Sequence, residues 1–182
     1  MSLSVRCRSR QQGFTLLELV LVVLIISIMG LIAIDRLLNY RIDAERAMIQ
    51  TVIGNIRSGL GMEIAQRVAR DRIGTIHNLE DTNPIELLAQ PPNNYIGEID
   101  HESQVNEDGV WYFDTAASAL VYRVRFGDYF KTRLSGPPRM RHRIKLVYTD
   151  NNRNNRFDPG IEHVSGLDLV PLEDYEWEFP NE

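Results

Sequence analysis

Several things are scarce in this sequence, and each scarcity excludes something. Among 182 residues there is one cysteine, Cys7, so no intramolecular disulfide can staple the fold. The residues before Cys7 form no apolar segment, which excludes a lipoprotein signal ending there. There is no glycine-rich phosphate loop and no nucleophile motif. The four histidines, His77, His101, His142 and His163, are scattered without metal-ligand spacing. A membrane-anchored enzyme is therefore the remote reading, and a chain without catalytic activity is expected. Composition is otherwise that of an ordinary globular protein, 43% hydrophobic and 25% charged, which excludes disorder and collagen-like repeats.

Charge is nearly missing from one long stretch. Residues 14–34 contain a single ionisable side chain, Glu18. At about 1.5 Å per helical residue such a run spans roughly 30 Å, the hydrocarbon thickness of a bilayer. Arg6, Arg8 and Arg10 precede it without any acid, whereas Arg36, Arg41 and Arg46 follow it mixed with Asp35, Asp43 and Glu45. The positive-inside rule then predicts a cytoplasmic N-terminus and an external C-terminal domain. Residues 35–182 hold 24 of the 25 acidic and 17 of the 20 basic side chains, an acidic, soluble composition large enough for a core of its own.

Three plain readings compete for the apolar run. A removable secretory signal has a shorter apolar core, about 7–15 residues. A buried core helix is seldom free of charge on every face for six turns. A simple anchor explains length and orientation but not Glu18, beyond the preference of a helix start for negative charge, because an intramembrane carboxylate is costly and usually partnered.

The string Gly13, Phe14, Thr15, Leu16, Leu17, Glu18, after a basic leader and before about twenty apolar residues, resembles the processing site of type IV prepilins and type II secretion pseudopilins. That resemblance implies cleavage between Gly13 and Phe14 by prepilin peptidase, N-methylation of Phe14, and retention of the apolar run. It implies a lollipop-shaped subunit, held by its helix in the inner membrane with its head in the periplasm. Its partners would be the inner-membrane assembly platform and other pilin or pseudopilin subunits. Glu18 matches the glutamate thought to neutralise the N-terminal amine of a neighbouring subunit during assembly. Without a disulfide, and with an irregular charged loop set, the head suits a minor pilin or minor pseudopilin better than an abundant major pilin. Type IV pilus and type II secretion both remain open.

The expected fold class is α+β, a long N-terminal helix packed on an antiparallel sheet. Expected divisions are a leader of residues 1–13, a membrane or filament stem of 14–34, an amphipathic continuation of 35–73 and a head of 74–182. Leu38, Ile42, Ile49, Val52, Ile53, Ile56, Leu60, Ile64 and Val68 recur mostly at spacings of three, four and seven, predicting one apolar face on a helix from Phe14 to Arg72 that stops near Gly74. Gly54, Gly59 and Gly61 interrupt its exposed half and permit close packing or bending. Many type IV pilins carry a proline where the helix leaves the membrane, but this chain has Asp35 there.

Asn83 and Pro84 predict a short capped helix over 83–88, and residues 93–98 read as loop. Alternation predicts strands at 109–114, 120–126, 143–148 and 174–179, in an antiparallel sheet with one face on the helix and the other in water. The aromatic residues there are expected in the core.

Two further segments carry chemistry. Asp150, Asn152, Asn154 and Asp158 fall at positions 1, 3, 5 and 9 of a Ca2+ loop, with the Arg156 carbonyl at position 7. Against this, Asn155 replaces the usual glycine, Glu162 stands one residue late, and Arg153 and Arg156 add positive charge; the alternative is a metal-free Asn-rich hairpin loop. The acid-free run 129–149 carries Lys131, Arg133, Arg139, Arg141, Arg143 and Lys145 beside Tyr129 and Phe130, a pattern suited to sequence-independent DNA contact. Its alternative is a loop around Gly136 whose charges face solvent or acidic neighbours in a filament.

Overall fold

A computed structural model describes residues 14–154, 156–158, 161–162 and 164–178. The expected leader with Gly13, the side chain of Leu38, and Asn155, His163 and Phe179 lie outside the described residues. The chain divides into two compact units, Met1–Arg41 and Ile42–Glu182.

Helix α1 covers Leu16–Ala69. It starts on an N-cap: Thr15 stands before the first turn and its Oγ1 accepts the Glu18 N–H at 3.2 Å. Within the first unit its window Leu16–Ile34 has a mean hydropathy of 3.0 and none of it is buried. That stretch is long and apolar enough to cross a membrane.

In the second unit the apolar stripe of α1 works as its spacing predicts. Ile42, Ile49, Val52, Ile53, Ile56 and Leu60 are all buried. The stripe then leaves the core: Ile64 is half-buried and Val68 exposed. The helix stops three residues before the expected Arg72, and not through Gly74. Asp71 takes the left-handed conformation, φ 55°, while Arg72 N–H bonds the Arg67 carbonyl at 2.8 Å and Asp71 N–H that of Val68 at 3.0 Å. This is a Schellman closure in which aspartate, one of the few side chains tolerant of that region, stands in for glycine. Of the three interior glycines, Gly59 mediates close packing: a Cβ there would lie 3.0 Å from the Leu87 carbonyl oxygen, whereas Gly54 and Gly61 face open space.

Among the described residues seven strands follow: β1 (Tyr95–Ile99), β2 (Val110–Asp114), β3 (Ala119–Arg123), β4 (Phe130–Thr132), β5 (Arg139–Tyr148), β6 (Val164–Pro171) and β7 (Tyr175–Trp177). Five form a sheet in the order β1, β2, β3, β5, β6, and β4 pairs with β7 in a separate ribbon. The pairs β2/β3, β3/β5 and β5/β6 are antiparallel, as expected. The architecture is therefore α+β with an antiparallel-rich sheet.

Four details correct the sequence reading. Residues 95–99, read as loop, form β1 and run parallel to β2; Gly97, at φ 106°, lies where the register shifts. The strand containing Tyr175 and Trp177 joins β4, not the main sheet, with Phe130 opposite Trp177. The short helix at 83–88 is one 3-10 turn, Pro84–Leu87, capped by Asn83 Oδ1 accepting the Ile85 N–H at 3.1 Å. The sheet's second face is not simply wet: Ile99, Val105, Val110, Tyr112, Ala119 and Val121 form a second buried cluster there. The first cluster, with Trp111, Leu120, Tyr122, Met140 and Ile144, lies against α1.

Candidate functional site

The N-terminal segment presents its chemistry openly. Phe14 is 77% exposed, and the apolar side chains from Leu16 to Ile34 are exposed too. Glu18 is spaced four residues from Phe14, about one helical turn. Its backbone N–H is held by Thr15, while among the described residues its carboxylate has no hydrogen-bond or ion-pair partner. Gly13, on the other side of the expected cut, lies outside the described residues.

A sequence model of the prokaryotic N-terminal methylation motif matches residues 8–34. The chain carries the N-terminal segment of a type IV pilin-like, prepilin-type protein. No curated protein and no solved structure matches it. The match takes in Gly13, Phe14 and Glu18 and stops before the head, whose surfaces must be read from their own geometry.

Sequence reasoning missed one site in the head. Glu45 lies in the apolar stripe, three residues after Ile42 and four before Ile49, and is 6% exposed. Its carboxylate accepts the Tyr122 hydroxyl at 2.8 Å, the Arg125 N–H at 2.7 Å and the Phe126 N–H at 3.1 Å. It thus satisfies two backbone donors just beyond β3 and ties α1 to that strand end. Burial and the Glu45 hydrogen bond push the Tyr122 hydroxyl far above its ordinary range. An acid on the core face of the helical period was the available signal.

The basic run is not one open surface. Arg139, Arg141 and Arg143 alternate along β5 on the face away from Met140, His142 and Ile144, and each has an acidic partner. Arg139 Nε lies 2.9 Å from Glu102, Arg141 pairs with Glu173, and Arg143 Nε lies 3.3 Å from Asp81. Lys131 pairs with Glu178 across the ribbon. Arg133 and Lys145 are exposed. Four of the six candidate DNA contacts thus already have a carboxylate opposite. Lys131 and Arg133 border a shallow groove of about 400 Å³ that also contains Asp174 and Glu176.

His142 is 2% exposed and its Nδ1 has no hydrogen-bond partner among the described residues. Burial, aided by the Arg57 guanidinium and only partly opposed by Glu173, lowers its pKa to about 4. His77 stands 6.3 Å from the Phe157 ring, and His101 precedes the turn Glu102–Gln104.

The candidate Ca2+ loop joins β5 to β6, and its side chains turn toward each other. Asp150 Oδ1 and Asn152 Oδ1 both accept the Asn154 N–H, at 3.2 and 3.1 Å, and Asn154 Oδ1 accepts that of Arg156 at 2.8 Å. Asp158 Oδ2 accepts the Asn152 and Asn154 amides at 2.7 and 2.6 Å. Among the described residues no three His, Cys, Asp or Glu side chains group closely enough to hold a metal alone.

Proposed function

We propose that the chain is a structural minor pilin or minor pseudopilin. In this reading prepilin peptidase cuts between Gly13 and Phe14 and N-methylates Phe14, and the mature subunit enters a type IV pilus or type II secretion pseudopilus through α1. The match to the N-terminal methylation motif carries the proposal. The unburied apolar window Leu16–Ile34 supports it, serving as a membrane anchor before assembly and as a filament stem afterwards.

Physical chemistry gives Glu18 its role. An isolated carboxylate in a bilayer costs about 2.5–3.5 kcal/mol or more, and Glu18 has no partner within the described chain. Cleavage creates a cationic amine at Phe14, and the amine of one subunit can pair with Glu18 of another. A buried charge that is matched only in the polymer makes assembly directional. Before cleavage the subunit sits in the inner membrane with its N-terminus cytoplasmic and its head periplasmic. The mature 169-residue chain has 17 basic and 25 acidic side chains, so it is more acidic than the precursor. No catalytic role is assigned to the head.

Mass spectrometry of the mature N-terminus tests the processing, with N-methylated Phe14 expected. Glu18→Ala is expected to insert into the membrane normally yet be lost from sheared filaments. An unprocessed N-terminus, or wild-type incorporation of the variant, overturns the reading.

A further inference from the structure

We propose that a cleft at the C-terminal end of α1 binds a phosphate dianion, free or carried as a monoester on a sugar, with Arg70 and Arg72 as its ligands. The cleft encloses about 250 Å³. Glu63, Gln66 and Arg67, in the last two turns of α1, form one wall, and Thr75 and Asn78, in the 3-10 turn Ile73–Leu79, form another. Arg70 and Arg72 complete the lining from the reversal between them. That reversal is the closure on Asp71, and Ile76, 1% exposed, seats the 3-10 turn in the core, so the two walls are held by the fold itself.

The three arginines differ in how far they are engaged. Arg67 Nε donates to Glu63 Oε1 at 2.8 Å, and its Nη1 donates to the Thr75 carbonyl and, at 3.3 Å, to Thr75 Oγ1. Thr75 Oγ1 in turn donates to the Arg72 carbonyl at 2.8 Å, which braces the cleft. Arg70 and Arg72 are exposed, and among the described residues neither guanidinium has a hydrogen-bond or ion-pair partner. The side-chain amides of Gln66 and Asn78 are open in the same sense. Elsewhere in the head Arg57, Arg123, Arg139, Arg141 and Arg143 each face a carboxylate. Two unmatched arginines on one cleft stand out against that pattern.

Charge selects the ligand. Three guanidinium groups against the one carboxylate of Glu63 leave a surplus of +2 at the cleft, in a chain that is acidic overall. A phosphate monoester carries about −1.5 to −2 at pH 7, whereas a carboxylate or a phosphodiester carries a single charge. Guanidinium forks match phosphate oxygens in pairs, and the two amides add neutral donors. The helix macrodipole accounts for a cation in the last turn, and Arg67 supplies it. That field fades within a turn and gives no reason for Arg72, three residues beyond the helix end.

The test uses the full chain in mild detergent at about 0.15 M NaCl, where diffuse surface charge is screened beyond roughly 8 Å. Calorimetry follows titration with sodium phosphate, glucose 6-phosphate, sodium acetate and a short DNA duplex. One saturable event is expected with the two phosphate ligands, with Kd about 1 mM or tighter. Tighter binding of glucose 6-phosphate assigns a phosphorylated sugar and tighter binding of inorganic phosphate the free anion; both support the site. Arg70→Gln and Arg72→Gln, at exposed positions that leave the fold intact, are each expected to weaken binding about tenfold, as loss of a hydrogen bond between charged groups does. Glu63→Gln is expected to bind more tightly, because it raises the surplus and releases Arg67, while Arg41→Gln, the same charge change elsewhere, binds as wild type. No saturable binding up to about 20 mM phosphate overturns the site. So does wild-type affinity in both Arg70→Gln and Arg72→Gln, or an equal loss in Arg41→Gln. Acetate or the duplex bound as tightly as phosphate overturns the phosphate assignment.

Discussion

Acid should weaken the head through one residue, His142. In the folded chain its imidazole is held neutral down to about pH 4, because it is buried and faces Arg57. The unfolded chain takes up that proton near pH 6.5. The stabilisation from the neutral state is thus complete above pH 6.5 and is lost as pH falls from 6.5 toward 4, since over that window only the unfolded state binds the proton. Each pH unit between the two values is worth about 1.4 kcal/mol, so the loss totals about 3 kcal/mol. That is a large share of the roughly 5–15 kcal/mol that holds a typical domain together. The assay is urea unfolding of the full chain in detergent, followed by tryptophan fluorescence at pH 7, 6, 5 and 4, for wild type and His142→Leu. Carboxylates titrate in both proteins, so the difference between them isolates the histidine. Wild type should lose about 3 kcal/mol more than the variant across the series. Equal pH slopes would show that His142 finds a proton acceptor or solvent when charged, and the reasoning would fail.

Two other substitutions test the helix packing. Glu45→Ala leaves the backbone N–H groups of Arg125 and Phe126 and the Tyr122 hydroxyl without their acceptor, and should cost about 3 kcal/mol in equilibrium unfolding; a loss below about 1 kcal/mol would mean water replaces the carboxylate. Gly59→Ala should destabilise by about 1 kcal/mol despite alanine's better helix propensity, because Leu87 backbone blocks its Cβ, while Gly54→Ala and Gly61→Ala should each add up to about 1 kcal/mol. Thermal melts of the three variants that all shift in one direction would refute the contact argument.

What could be read from the chain depended on how local the signal was. The stripe from Ile42 to Leu60 has a strict period, and burial follows it residue by residue. The segment around Gly13 and Glu18 is contiguous and needs no tertiary information. The expected strand 143–148, with Ile144 and Leu146 alternating with Arg143 and Lys145, gave the right faces but began four residues after the observed start at Arg139, and it left the ion pairs hidden, because Glu102, Glu173 and Asp81 lie far away in sequence. Glu45 looked like one more solvated acid for the same reason: its partners are about 80 residues further on. The strand β1 was masked by Gly97 and by a run of asparagines that reads as a turn. The strand β6, with Gly166 and Asp168 inside it, has weak strand propensity and exists because β5 supplies its partner. The β4/β7 ribbon joins three-residue strands whose pairing no local pattern announces.

Burial of β2 and β3 on both faces reaches beyond packing. A hairpin with one wet face tolerates polar change at every second position, but Trp111, Tyr112, Leu120 and Val121 leave neither parity free. A mutational scan should therefore find this hairpin intolerant without alternation, while β5 tolerates charge only where its arginines stand. The backbone amides of the hairpin are shielded from solvent on both sides. In hydrogen exchange they should be the last in the head to open, so their exchange rate would measure the stability of the entire head.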